Sequence, residues 1–137
     1  MNKEIIIDRL KEIDDNLAIL EKLAKHSREK FIAQPEIYKL AERCLQLAVD
    51  SVLDISHYIL AQQNWPRAEG KEAIRSLGQY RVIPAEFAEQ FSHVAGFRNI
   101  LVHEYLKIDR NKVFDFLHNL QDFREFSRYV LGFLEDQ

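Results

Sequence analysis

The segment Gly96-Phe97-Arg98-Asn99-Ile100-Leu101-Val102-His103-Glu104-Tyr105 gathers the side chains best able to do chemistry. A guanidinium is always charged, and its planar fork matches the oxygens of carboxylates and phosphates. An imidazole, with an ordinary pKa of about 6.5, trades protons near neutral pH. Arg98 also continues the apolar stripe of Phe87, Phe91 and Val94, so a permanent cation is aimed at an apolar side. Such a group is costly to bury unless it is paired or faces a cleft. Gly96 lies two residues earlier, in a helical pattern where glycine costs about 1 kcal/mol relative to alanine. A glycine there permits close approach of another backbone or of a ligand. On local physics alone, an ion pair between Arg98 and a neighbouring helix is the simpler reading of these features.

Helical geometry restricts how these groups cooperate. Residues five apart on a continuous helix differ by about 140° in direction, whereas residues seven apart nearly coincide. Arg98 and Tyr105 therefore share a face and His103 turns away from it. Arg98 and His103 work together within one chain only if the helix ends near His103. Otherwise a second copy across a twofold axis must complete the site.

The elements that position this segment are read from apolar periodicity. Ile6, Leu10, Ile13, Leu17, Leu20 and Ala24 alternate steps of four and three, which predicts an amphipathic helix over about Lys3 to Lys25. A second helix is expected from Pro35, a residue suited to a first helical turn. It carries Tyr38, Ala41, Leu45, Ala48, Val52, Ile55 and Ile59 on one stripe and ends at Asn64-Trp65-Pro66. Lys71 to Gln79 predicts a short helix. Pro84 opens another with Phe87, Phe91, Val94, Ala95 and Leu101 on one side. A last helix starts near Asp109 as N-cap, with Val113, Phe116, Leu120, Phe123, Ser127, Val130 and Leu134 inside. No strand alternation, repeat or low-complexity tract is visible. The expectation is an all-α, antiparallel bundle of four main helices plus one short helix, in a single domain over 1–137.

Composition narrows the class. The 137 residues are 47% apolar and 30% charged, with only four glycines and three prolines, an ordinary globular mixture that leans towards long helices. One cysteine, Cys44, cannot make an internal disulfide, which suits a reducing compartment. The opening Met1-Asn2-Lys3-Glu4 lacks signal-peptide character, and no run approaches the roughly 18 apolar residues of a membrane span. A cytoplasmic protein without a membrane partner is expected. The formal net charge of -3 lacks the basic excess of nonspecific nucleic-acid binders, so any RNA contact must come from a local cluster or one repeated by oligomerisation.

Other chemistries fall away on inspection. Gly70-Lys71 lacks the upstream glycine and following Ser/Thr of a phosphate-binding P-loop. Cys44 sits within an apolar helical pattern and reads as core. The five histidines include no pair at helical ligand spacing and no accompanying cysteines, so no metal is expected. Asp50, Asp54 and His57 share one helix face, for which a solvated polar surface is the expected reading over a metal or catalytic site. Lys107, Arg110 and Lys112 suit either RNA backbone contacts or a solvated helix start.

Arg98-Asn99, three residues, then His103-Glu104-Tyr105 resembles the signature of the HEPN superfamily, and especially of the HepT-like ribonuclease toxins. The phrase Glu42-Arg43-Cys44-Leu45-Gln46-Leu47-Ala48, followed by Asp54-Ile55, is similar to the same family. The resemblance spans essentially the whole chain.

What it implies is a metal-independent RNA endonuclease acting on tRNA or mRNA, the toxin half of a type VII-like toxin–antitoxin pair. It would need no cofactor, act as a homodimer and have no DNA target. The 2′-hydroxyl of RNA attacks the adjacent phosphate, which requires a base, an acid and charge stabilisation. On this reading Arg98 stabilises the transition state, His103 moves protons and Asn99 orients the histidine or the RNA. Two facing copies supply the pair of histidines that separate acid and base roles require. The resemblance also implies that a cognate minimal nucleotidyltransferase antitoxin transfers AMP to Tyr105, filling the cationic cleft with negative charge and bulk. A tyrosine packed at a helix end with its hydroxyl in water is the plainer alternative. Two other functions stay open. One is a noncatalytic nucleotide- or substrate-binding subunit of a nucleotidyltransferase; the other is a helical interaction module.

Overall fold

A computed structural model describes the backbone of residues 1–102 and 108–137, and the side chains of all of these except Ile100 and Val102. Its elements are α1 (Lys3–Leu23), α2 (Arg28–Ala33), α3 (Pro35–Gln62), α4 (Gly70–Gln79), α5 (Ala85–Phe91), α6 (Val94–Val102), α7 (Arg110–Phe116) and α8 (Gln121–Glu135). The described residues contain no strand.

The two longest helices form as their stripes predict. In α1 the residues Ile6, Leu10, Ile13, Leu17 and Leu20 are buried, and the Asn2 side chain caps the start by accepting from the Glu4 N–H. In α3, Pro35 occupies the first turn, and Tyr38, Ala41, Leu45, Ala48, Val52, Ile55 and Ile59 are buried. The Asn2 N–H donates to the Tyr58 hydroxyl at 3.0 Å and Arg9 pairs with Asp54 at 3.4 Å, so α1 runs antiparallel to α3. Cys44 lies in the shared core, where burial pushes its thiol pKa up. By length and composition α3 is the one described helix able to cross a membrane, and 61% of that apolar stretch is buried by its neighbours.

Two stretches expected to be continuous are each divided. The helix opened by Pro84 breaks at Ser92–His93 into α5 and α6. Ser92 is fully buried and its hydroxyl donates back to the Glu89 carbonyl at 2.8 Å, while Ala95 and Gly96 bond to carbonyls only three residues behind. Side-chain competition for the backbone and local tightening explain the break. The last helix divides into α7 and α8. His118 Nδ1 meets the Phe114 carbonyl at 3.0 Å, and Asn119 donates to the Asp115 carbonyl at 3.4 Å, capping α7 from within. Asp109 opens α7 as expected, accepting from the Asn111 and Lys112 N–H groups at 3.0 and 3.3 Å.

The apolar stripes survive these breaks. Phe91 meets Phe123 and Phe126 at ring distances of 5.5 and 5.2 Å, and Phe97 meets Phe116 at 4.3 Å. These contacts tie α5 and α6 to the last two helices. The helix α2 packs against α3 and α7: Ser27 caps it, and the buried Phe31 packs on Phe114 with ring centroids 5.2 Å apart.

Candidate functional site

The polar face of α3 is where the site is built. Its buried stripe leaves Asp50, Asp54 and His57 together on one surface, at whose edge Asp54 reaches Arg9 of α1. The helix α6 packs on α3 and brings Ala95, Gly96, Arg98 and Asn99 to that surface, while the start of α4 adds Gly70 and Lys71. Together they line an open cleft of about 610 Å³. Gly70 has a φ of 55°, a left-handed conformation that glycine adopts without steric cost, so this corner is set by glycine without being a P-loop.

Arg98 stands at the rim of this cleft. Its Nε donates to Asp50 Oδ1 at 2.8 Å, and the two side chains are 45% and 31% exposed. The simpler expectation, an ion pair to a neighbouring helix, and the richer one, a cation facing a cleft, are thus both met by the same side chain. Asn99 lines the same cleft and is exposed. A methyl group built on Gly96 would meet nothing within 4 Å, so this glycine leaves room beside the cleft instead of permitting a tight helix crossing. His103 and Tyr105 lie outside the described residues.

The expectation of a solvated polar face holds at the exposed Asp54 and fails at the His57 ring nitrogen, which is buried. Asp50, Asp54 and His57 all line the cleft that holds Arg98; Asp54 is paired to Arg9, and His57 Nε2 is buried with no partner among the described residues. Their helical spacing was the available signal, but nothing in it says that α6 lies opposite. Among the described residues no three His, Cys, Asp or Glu side chains gather to hold a metal ion.

A second open cavity, of about 690 Å³, lies further towards the start of α3. Tyr38, Lys39 and Glu42 line it with Ile108, Asp109 and Arg110, and the Arg110 guanidinium stacks 3.8 Å over the Tyr38 ring. Burial pushes the Glu42 carboxyl pKa up, partly opposed by Arg110 and Lys39. The described residues on both sides of 103–107 therefore rest against α3, about three turns apart along it, Arg98 at Asp50 and Arg110 at Tyr38.

Fold and site together define a protein that is helical and without strands among its described residues, with a guanidinium at the edge of an open cleft. The particular class follows from comparison with known proteins: the chain belongs to the ribonuclease HepT-like family, whose model matches residues 13–130. It is similar to a tRNA nuclease HepT of Aphanizomenon flos-aquae, 36% identical over 111 residues that cover 80% of this chain and 76% of that protein. It is similar also to an mRNA nuclease HepT of Shewanella oneidensis, 23% identical over 129 residues, covering 90% and 93% of the two chains. Among solved structures, the fold matches that of a tri-AMPylated Shewanella oneidensis HEPN toxin in complex with an MNT antitoxin. The TM-score is 0.83 at 23% identity, over 96% of this chain and 99% of that one.

Proposed function

We propose that this protein is the toxin of a type VII-like toxin–antitoxin pair, a metal-independent RNA endonuclease working as a cytoplasmic homodimer. One HEPN-like domain spans 1–137, its four longer helical stretches forming the bundle. Arg98 stabilises the charge that builds on the scissile phosphate, and His103 transfers protons to and from the attacking and leaving oxygens. Asn99 orients the histidine or the RNA. Two copies face each other and share one cleft, so that one His103 acts as base and the other as acid. The single observation that carries this reading is Arg98 at the rim of an open cleft, in a chain matched by the ribonuclease family model over most of its length.

A tRNA substrate is favoured over mRNA, because the relative at 36% identity is a tRNA nuclease. Control comes from a minimal nucleotidyltransferase antitoxin that transfers AMP to the Tyr105 hydroxyl. Each added phosphate brings negative charge to a cleft that must accept an RNA phosphate. Expression in a bacterial host tests the whole reading. Growth should stop with the wild type, continue with His103→Ala, and recover when the partner is co-expressed. Tyr105→Phe should still arrest growth but escape rescue by AMP transfer, with no AMP-sized mass gain on the peptide containing position 105. Arrest that persists in His103→Ala would remove the catalytic assignment.

A further inference from the structure

Arg98 is held by one described contact, and its geometry is specific. The carboxylate of Asp50, on α3, accepts from Nε at 2.8 Å, the nitrogen nearest the aliphatic stem. A guanidinium held there is restrained at its stem end while its two terminal nitrogens, the prongs that match phosphate oxygens, stay directed away from the stem. Stability does not account for this pair. With side chains 45% and 31% exposed, it belongs to the class of surface ion pairs whose net contribution is close to nothing. The arrangement is better explained by what it does to the orientation of Arg98.

We propose that Asp50 is a positioning residue for the cleavage reaction, clamping Arg98 through Nε so that the terminal fork meets the scissile phosphate in the cleft. This rests on the ribonuclease reading above. Without the clamp, the guanidinium samples several rotamers on the exposed surface of α6, and only a fraction of encounters place the fork on the transition state. The loss therefore falls on turnover more than on binding. The opposite idea, that Asp50 competes with RNA for Arg98, predicts the reverse: removing it would tighten binding and speed cleavage.

The test measures kcat and KM for RNA cleavage by purified wild type, Asp50→Asn, Asp50→Glu and Asp54→Asn. Asp50→Asn should lower kcat by about tenfold to a hundredfold, the usual consequence of a misplacement of about 1 Å, with KM within about threefold. Asp50→Glu should recover part of the rate, because it restores an acceptor of the same charge. Asp54→Asn makes the same charge change one turn away, on a residue paired to Arg9 instead. It should shift KM without the fall in kcat. In nitrogen–proton NMR spectra, the Arg98 Nε–H signal should lose its protection from exchange in Asp50→Asn alone. Combined with Arg98→Ala, Asp50→Asn should cost nothing further, the mark of residues acting through one another. Wild-type cleavage with an unaffected or faster Asp50→Asn overturns this proposal alone. A wild type that cuts no RNA overturns the ribonuclease reading and this proposal with it.

Discussion

Arg75 and Arg98 make opposite uses of the same side chain. Arg75, on α4, donates to Glu72 on its own helix and through Nε and Nη2 to both carboxylate oxygens of Glu89 on α5, at 2.8 Å each. The joint around it is closed. A methyl group on Gly78 would fall 2.5 Å from Ala88 Cβ and 3.1 Å from Ala85 Cα, so only glycine lets α4 and α5 approach this closely. Arg98 sits at the crossing of α6 and α3, where one carboxylate takes one of its nitrogens and a cleft of about 610 Å³ opens beside it. One guanidinium is used up in joining two helices. The other takes a single carboxylate partner beside an open cleft, and nearby Gly96 faces open space. A sequence motif naming an arginine does not separate these cases; the number and placement of its partners does.

The largest expected difference between the two regions is catalytic. Arg98→Ala should reduce RNA cleavage by about a hundredfold to a thousandfold, the usual consequence of deleting one transition-state donor, equivalent to about 2.7–4 kcal/mol. Thermal unfolding should scarcely move, because the pair lost is on the surface. Arg75→Ala should leave cleavage at the wild-type rate. If both variants cut RNA equally, the contrast between a joint arginine and a site arginine fails.

Packing gives the next largest effect. Gly78→Val should destabilise the fold by about 1–3 kcal/mol, measured by denaturant unfolding, since the added methyl groups force α4 and α5 apart. Gly96→Ala should do the reverse, gaining up to about 1 kcal/mol from helix propensity with no clash to offset it. Equal effects at the two glycines would mean that the closed and open crossings are not distinct.

The smallest effect concerns acid. Hydrogen bonding from Arg75 holds the Glu89 carboxyl below its ordinary pKa, and Arg128 does the same for Glu125. A carboxyl whose pKa is lower folded than unfolded contributes fully above the unfolded value, about 4.3 for Glu. That contribution is lost as pH falls through the lower folded value. Stability of the wild type should therefore decline on acidification below about pH 5. Arg75→Ala should flatten that limb by removing the share of Glu89, as read from unfolding midpoints across the acid range. An unchanged limb would show that the Arg75–Glu89 contact is not maintained in solution.

Much of this architecture was legible from periodicity, and the exceptions have local causes. The stripes of Ile6 to Leu20 and Tyr38 to Ile59 are long enough that their regular steps outweigh any single residue, and both become buried faces. Pro35 and Asp109 mark helix starts by their own chemistry, one through its fixed φ and the other through its capping carboxylate. The breaks at Ser92 and at His118-Asn119 were hidden because apolar spacing continues across them. There, polar side chains take backbone carbonyls that a continuous helix would keep. At the site, Arg98 was visible from its type and neighbours, and Asn99 only through the resemblance of the motif. The pairing of Asp50 with Arg98 was not visible, since 48 residues separate them and only the packing of α6 on α3 joins them.

The central claim, that this cleft cuts RNA by proton transfer without a metal, is most directly tested with purified protein, total RNA and a chelator of divalent ions. The account predicts new RNA ends, mapped to discrete positions and carrying 2′,3′-cyclic phosphates, with wild type and none with His103→Ala. Cleavage that needs an added divalent ion, or that continues undiminished in His103→Ala, would contradict it.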